Sequence, residues 1–373
     1  MLQYNYLRDG VSLILGGTLK VDLPNSGKLS GIMLKVNSTQ VSNHGLTGGK
    51  WRFLDYLTQI RVIADGSEII TDMTPKMMQA ASFFDHGDVP PSAWRNYASA
   101  GTWDTIPIYF GRKFGDRELG LDLSKFNSVQ LEITNDATST QFADSLTAQI
   151  ATLQFHSEIN PPTFVGHLRK EEWRKYTTVQ DQWQYLELPV EGKLRRVLLQ
   201  CIPDKTTGLD DTRYDNQADD IRLSVKTGAL EVIRAGMDDI VRLNAMRYGC
   251  AVVPLMGPDW NADAAHEIGL GYWLGMGGIA GMHSGAAASV IQTLTIGDTG
   301  GTPRMESRDS ENTMLIKGLS PQYTEPIFQS EPDEPSMYLD TRSLATVGLD
   351  IHTRNAAASA DGTNRIVLER LVT

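Results

Sequence analysis

The residues best placed for chemistry are Gly297-Asp298-Thr299-Gly300-Gly301, a glycine-flanked turn of the kind that presents a carboxylate or hydroxyl. Serine-type hydrolysis would need a serine where Thr299 stands, with a histidine and an aspartate to activate it. Aspartic-type hydrolysis would need a second carboxylate sharing a proton, and the chain has no second Asp-Thr-Gly. A glycine-rich turn after the strand-like Val290–Ile296 accounts for it. Seven histidines, at 44, 86, 156, 167, 266, 283 and 352, stand singly. No His-x-His pair occurs, so the spacing that brings two imidazoles to one metal is missing and no metal ligand is assigned. The acidic run from Asp210 to Asp220 can gather oxygen ligands for calcium but lacks the alternate-residue pattern of an EF-hand loop, and reads as a solvated loop. With every candidate lacking a partner, the expectation is no catalytic residue, no cofactor and no enzyme.

Two features are candidates for contact instead. From Ile268 to Gly297 there is no Asp, Glu, Lys or Arg, and the stretch includes Tyr272, Trp273, Leu274 and Met276. Seven glycines between 269 and 285 argue against a helix there, so these four side chains are expected on an uncharged loop packed against a neighbouring subunit. Lys28 and Lys193 each follow a turn glycine and are assigned to turn structure.

The elements that must position these residues belong to an ordinary soluble composition: 373 residues, 41% hydrophobic, 21% charged. That length predicts two domains. A net charge of −11 argues against direct nucleic-acid binding, which rests on clusters of Lys and Arg. The opening MLQYNYLRDG lacks the pattern of a secretory signal, and two cysteines, Cys201 and Cys250, are too few for a disulfide framework. Both point to folding in a reducing cytoplasm.

The sequence repeats itself. Leu23-Pro24-Asn25-Ser26-Gly27-Lys28-Leu29 returns 165 residues later as Leu188-Pro189-Val190-Glu191-Gly192-Lys193-Leu194. Pro24, Gly27 and Lys28 and their counterparts Pro189, Gly192 and Lys193 mark paired turns. Ile60-Arg61-Val62 returns as Ile221-Arg222-Leu223, each followed by a hairpin signal, Asp65-Gly66 and Thr227-Gly228. A helix follows in each copy. Thr74 and Pro75 start the first, with Met77, Met78, Ala81 and Phe84 on its buried face; Met237, Ile240 and Val241 line the second, which Gly249 ends. Ile106-Pro107-Ile108-Tyr109 pairs with Glu325-Pro326-Ile327-Phe328, and Val129–Ile133 with Val347–Ile351, 218 residues apart. The growing offset places an insertion of about fifty residues in the second copy, between roughly 250 and 320.

Val129, Leu131 and Ile133 alternate with polar neighbours, as do Ile221, Leu223 and Val225, which makes these strands with one wet face. Period-2 segments with one clear helix per copy predict an all-β chain of two tandem antiparallel jelly-roll sandwiches with short helices. The expected layout is an N-terminal arm at 1–12, a first jelly roll at 13–158, a connector at 159–179 and a second jelly roll at 180–373.

This arrangement of paired LPxxGKL openings, paired hairpins feeding helices, paired Pro-Ile turns and one large insertion resembles the double jelly-roll major capsid proteins of tailless icosahedral viruses. The resemblance covers nearly the whole chain. It implies a viral structural protein of the virion shell, assembled in the host cytoplasm as pseudo-hexagonal homotrimers, with penton and minor capsid proteins as partners. It also implies that 250–320 is an outer loop; many members of that family enclose an internal viral membrane with short N-terminal segments lying near it, and here Tyr4, Tyr6 and Leu7 are apolar or amphipathic, in too short a stretch to decide between the two cases. Two other readings stand beside it: a carbohydrate-binding or receptor-binding two-domain β-sandwich of the spike or lectin kind, using the seven tryptophans and twelve tyrosines as stacking platforms, and a bicupin-like enzyme, disfavoured by the histidine spacing.

Overall fold

The computed structural model describes residues 1–39, 41, 53–95, 101–140, 142, 146–203, 217–226, 228–257, 312–319, 321–354 and 362–373, with short strands at 266–267, 278–284, 292–296 and 304–305. The first copy contains β1 (Leu2–Ser12), β2 (Thr18–Asp22), β3 (Lys28–Thr39), β4 (Leu57–Ala64) and β5 (Glu68–Met73), then β6 (Ser92–Arg95), β7 (Gly101–Tyr109), β8 (Leu121–Asp122), β9 (Val129–Asn135) and β10 (Thr147–Phe155). Helix α1 (Phe53–Tyr56) precedes β4, and α2 (Pro75–His86) follows β5. The second copy begins with β11 (His167–Thr177), β12 (Gln182–Glu187), β13 (Lys193–Pro203), β14 (Asp220–Val225), β15 (Leu230–Ala235) and α3 (Met237–Tyr248). After β16 (Ala251–Gly257), β17 (His266–Glu267), β18 (Gly278–Ser284), β19 (Gln292–Ile296), β20 (Arg304–Met305) and β21 (Asn312–Gly318), it closes with β22 (Thr324–Gln329), β23 (Leu339–Asp340), β24 (Val347–Thr353) and β25 (Gly362–Val372).

Both copies are jelly rolls with the same connectivity. In the first, β1-β10-β3-β7 faces β2-β9-β4-β5; in the second, β11-β25-β13-β22 faces β12-β24-β14-β15. Each pair of sheets places the first, last, third and sixth main strands opposite the second, seventh, fourth and fifth, so the two copies match strand for strand. The alternating pattern sets the faces. Every second residue of β9 and of β24 is buried, and these face separate cores, one holding Leu131 and Ile133, the other Leu349 and Ile351.

Local chemistry explains the joints. Asp65 (φ 50°) and Gly66 (φ 75°) form the left-handed pair a tight hairpin requires between β4 and β5. Thr74 accepts a hydrogen bond from Met77 N at 3.4 Å, Pro75 occupies the first turn, and Gly87 (φ 79°) ends α2. In α3, Gly236 stands at the N-cap without a side-chain bond and Gly249 (φ 84°) terminates.

Two expected boundaries change. Residues 2–12, expected as an arm, form β1, paired antiparallel with β10 from Leu2 opposite Phe155 to Ser12 opposite Thr147. Residues 167–177, expected inside a connector, form β11, the first strand of the second jelly roll, paired along its length with β25. Each is the outermost strand of its own four-strand set, and bulges at Leu7 and Trp173 interrupt its alternation.

Among the described residues the copies share two sheet junctions. β5 pairs in parallel with β11, Lys170 opposite Thr71 and Glu171 opposite Asp72, so one sheet of the first jelly roll runs on into the second. β16, at the start of the insertion, pairs in parallel with β6, Leu255 opposite Trp94. Strands β21, β18 and β19 extend that sheet, so the insertion of the second copy continues a sheet of the first.

Candidate functional site

The most concentrated chemistry lies at the seam between the two jelly rolls, in a segment whose strand pattern hides it. Arg195 and Arg196 are consecutive in β13, and simple alternation would send one of them outward. Opposite β25 the register runs from Leu194–Arg370 directly to Arg196–Glu369, so Arg195 is the extra residue of a β-bulge. Both arginines are fully buried.

Three carboxylates meet them. Arg195 donates from Nη1 to Glu369 Oε2 at 2.7 Å, from Nη2 to Asp85 Oδ1 at 2.8 Å and from Nε to Asp333 Oδ1 at 2.9 Å. Arg196 donates from Nη2 to Glu369 Oε1 at 2.8 Å. Lys170 of β11 lies 3.8 Å from the same carboxylate, and Tyr338 donates to Asp333 at 2.8 Å. Three positive and three negative side chains thus balance within the buried site. Asp85 sits in the last turn of α2, in the first jelly roll, while the other members belong to the second. The cluster therefore ties the two copies together, and Leu198 and Val367 of the second copy pack into the first copy's core beside it.

Burial alone would raise the Glu369 carboxyl, but the charges of Arg196, Lys170 and Arg195 outweigh it and hold the group well below the carboxylate range. Asp333 is likewise lowered against its burial, through Arg195 and Tyr338. Burial lowers Lys170, with Glu369 and Asp85 opposing. The arrangement holds charges fixed and paired, and every acceptor of a proton is already engaged by a cation. It is suited to docking two domains in one orientation.

The residues singled out from sequence lie elsewhere. The turns containing Pro24, Gly27 and Lys28 and containing Pro189, Gly192 and Lys193 sit at matching places in the two copies. Gly27 (φ 111°) and Gly192 (φ 84°) are left-handed, and the carbonyl of each accepts from a short 3-10 turn, from Leu123 N at 2.9 Å and Thr341 N at 3.1 Å. Lys28 donates to Pro162 O at 2.7 Å and Lys193 to Pro335 O at 3.2 Å. Pro24 and Pro189 are half-buried. Tyr272, Trp273, Leu274, Met276, the Gly297–Gly301 turn and residues 210–216 of the acidic run lie outside the described residues. Of that run's end, Asp219 is 2.7 Å from His352 Nδ1 and Asp220 accepts from Arg222 at 2.8 Å. Among the described residues no group of three His, Cys, Asp or Glu side chains is placed to hold a metal, and no helix is long and apolar enough to cross a membrane.

A half-enclosed cleft of about 170 Å³ opens between the copies, lined by Lys125, Phe126, Phe164 and His167 among others. His167 is buried with Nε2 unpaired, and burial, with Lys125 and Arg169 nearby, lowers its pKa to about 4.

No protein-family model and no curated protein matches the sequence. Solved structures do match. The STIV MCP aligns over 99% of this chain and 96% of its own length, at 9% identity and a TM-score of 0.58. The major capsid protein P2 of bacteriophage PM2 aligns over 100% and 98%, at 11% identity and a TM-score of 0.50. A chain of the PBCV-1 virus capsid aligns over 100% and 93%, at 10% identity and a TM-score of 0.53. The chain has the double jelly-roll fold of these capsid proteins.

Proposed function

We propose that this chain is a viral major capsid protein, a building block without catalysis that assembles into pseudo-hexagonal homotrimers and tiles an icosahedral shell. The observation that carries this is the strand-for-strand equivalence of two jelly rolls joined side by side, over a chain whose full length aligns with capsid proteins. Three such chains supply six similar blocks around one axis, which lets a single gene product fill a nearly hexagonal lattice. A hexagonal block does not fit a fivefold vertex, so a separate penton protein completes the shell, with minor proteins between capsomers. The protein is made in the host cytoplasm and ends in the virion.

Solution mass followed by negative-stain imaging tests this. Stable trimers with a hexagonal outline are expected; a monomer that binds glycans or metal would overturn the reading.

One observation favours a receptor-binding role as a second reading. On the outer face of the β12-β24-β14-β15 sheet, the rings of Trp183 and Tyr185 stack with centroids 6.2 Å apart, and the Arg222 guanidinium lies 4.1 Å from the Trp183 centroid. Tyr185 is exposed. Such a platform suits a sugar ring, and a glycan array with wild type and Tyr185→Ala distinguishes it from surface packing.

A further inference from the structure

The seam inside the chain is built from elements that occur twice, and only one set is covered. Helix α2 packs on its own sheet and also on the second jelly roll, against β22 and the 3-10 turn before it. Helix α3 has the same length and the same terminal glycine, which makes Leu243, Met246 and Arg247 the counterparts of Ala81, Phe84 and Asp85. Ala81 and Phe84 are each 3% exposed, whereas Leu243 is 62% and Met246 86% exposed. The strand edges behave alike. The β4-β5 and β14-β15 hairpins share a bulge, which makes Ile70 equivalent to Val232 and Thr71 to Ile233. Ile70 is buried beside β11, while Val232 and Leu230 are exposed on the free edge of β15. On the other side of the molecule β1, the equivalent of β11, is a free edge among the described residues, with Tyr4 and Tyr6 exposed.

The receiving faces differ in charge. Register places Ser30 and Gly31 of the first copy where Arg195 and Arg196 stand in the second, and Leu153 where Glu369 stands. Tyr4, opposite Leu153, occupies the place of Lys170, opposite Glu369. At these four positions the first jelly roll is therefore uncharged and carries one aromatic ring, with Lys113 and Asp88 beside it near His86, and the second carries two arginines, a lysine and a glutamate.

We propose that α3 and β15 dock on the first jelly roll of a second copy of this chain, repeating the internal seam in apolar form. This deepens the capsomer reading above and rests on it. β15 adds in parallel to β1 of the partner subunit, with Ile233 opposite the partner's Tyr4 and Arg234 opposite the partner's Asn5, as Thr71 and Asp72 stand opposite Lys170 and Glu171. Phe84 meets Tyr248 edge-on within the chain, at 5.3 Å between centroids. At the matching place the Met246 thioether lies against the partner's His86, the counterpart of Tyr248, whose exposed ring is edge-on to Tyr109 with centroids 5.2 Å apart. Partner choice is set by charge. Arg247, which pairs with Glu331, ends α3 where Asp85 ends α2, so α3 placed on a second jelly roll would bring a fourth cation to Arg195, Arg196 and Lys170 in place of a carboxylate, whereas the first jelly roll has Ser30, Gly31 and Tyr4 at those positions. First and second jelly rolls must then alternate around the ring, which a single kind of chain achieves by head-to-tail closure.

The test uses the full chain. Leu243→Asp with Met246→Asp changes two side chains already in water, so the isolated fold persists by circular dichroism. The trimer should dissociate, with the concentration for half-assembly rising roughly 100-fold or more by light scattering. In a Cys250→Ser background, Tyr4→Cys with Ile233→Cys should be joined into covalent trimers by a short thiol cross-linker, and neither single variant should be. Trimers that survive the aspartates and give no cross-link overturn this seam and leave the capsomer reading standing. A wild-type chain that stays monomeric overturns both.

Discussion

The same β-bulge is filled in two opposite ways in the two copies. In the second it holds Arg195 and Arg196 against Glu369, Asp85 and Asp333. In the first it holds Ser30 and Gly31. A Cβ on Gly31 would come within 2.5 Å of Ile108 O and of the Phe114 ring, so the aromatic side chain closes the space a guanidinium occupies in the other copy. Gly115 N donates to Ser30 Oγ at 2.7 Å, with Gly115 standing where Asp333 stands in the second copy. Backbone geometry at this point is therefore independent of what it carries: close packing closes one site and paired charge the other.

The largest expected effect comes from unbalancing the charged version. Glu369→Gln leaves Arg195, Arg196 and Lys170 facing too few carboxylates and should cost about 3 to 5 kcal/mol in urea unfolding. Arg196→Met with Glu369→Leu, which moves the site toward the first copy's chemistry, should cost less than either change alone. A double variant costing the full sum would show that the cluster is not coupled.

Acid should act on the seam in two stages. Buried His167 has its pKa lowered from 6.5 to about 4, so the unfolded chain binds the proton first. Its contribution is complete above pH 6.5 and is lost as pH falls toward 4, on the order of 2 to 3 kcal/mol. Asp333 and Glu369 are depressed below their ordinary carboxylate values of 3.8 and 4.5, so their contribution is present above those values and disappears in more acidic solution. Thermal melts from pH 8 to 3 should show both stages. His167→Phe should flatten the first, and a slope that persists would assign it to another group.

Smaller effects contrast the paired caps and turns. Thr74→Ala should lower stability by about 1 kcal/mol through loss of the α2 cap. The equivalent change Gly236→Ser should bring no gain, because a Cβ there would lie 2.8 Å from Asp219 O. Lys28→Met and Lys193→Met should each cost about 0.5 to 1.5 kcal/mol and match one another, as expected for lysines that bond proline carbonyls in equivalent turns. Unequal losses in chemical denaturation would separate the two turns' roles.

The turns, the hairpins, helices α2 and α3 and the duplication were legible because glycine, proline and period-2 alternation act locally, whereas the four-residue α1 left no such signal. The strands β1 and β11 were not. Each contains a bulge, which destroys alternation. β1 also shows mostly exposed residues as the free edge of its sheet, and β11 carries charges that face the cluster and β25, so the HLRKEEWRKY run reads as a linker. Arg195 and Arg196 left a trace, two arginines before the apolar run Val197–Leu199, but their partners are 110 to 174 residues distant. Only the fold reveals that Asp85 on a helix of the first copy answers them. The cleft beside His167 was equally hidden, since its walls come from both copies and the segment between them.

The pairing of first with last strand in each jelly roll bears on the order of events during synthesis. β1 cannot meet β10 until about residue 155 has been made, and β11 waits for β25 at the far end of the chain. The first jelly roll therefore has its own strands paired while the second is still emerging from the ribosome, with Leu198 and Val367 yet to join its core. During that interval β5 is an unpaired edge and Asp85 lacks its arginines, so a second nascent chain on the same message presents a competing surface. Slowing translation should lengthen that window, and the soluble yield of trimer measures whether it matters.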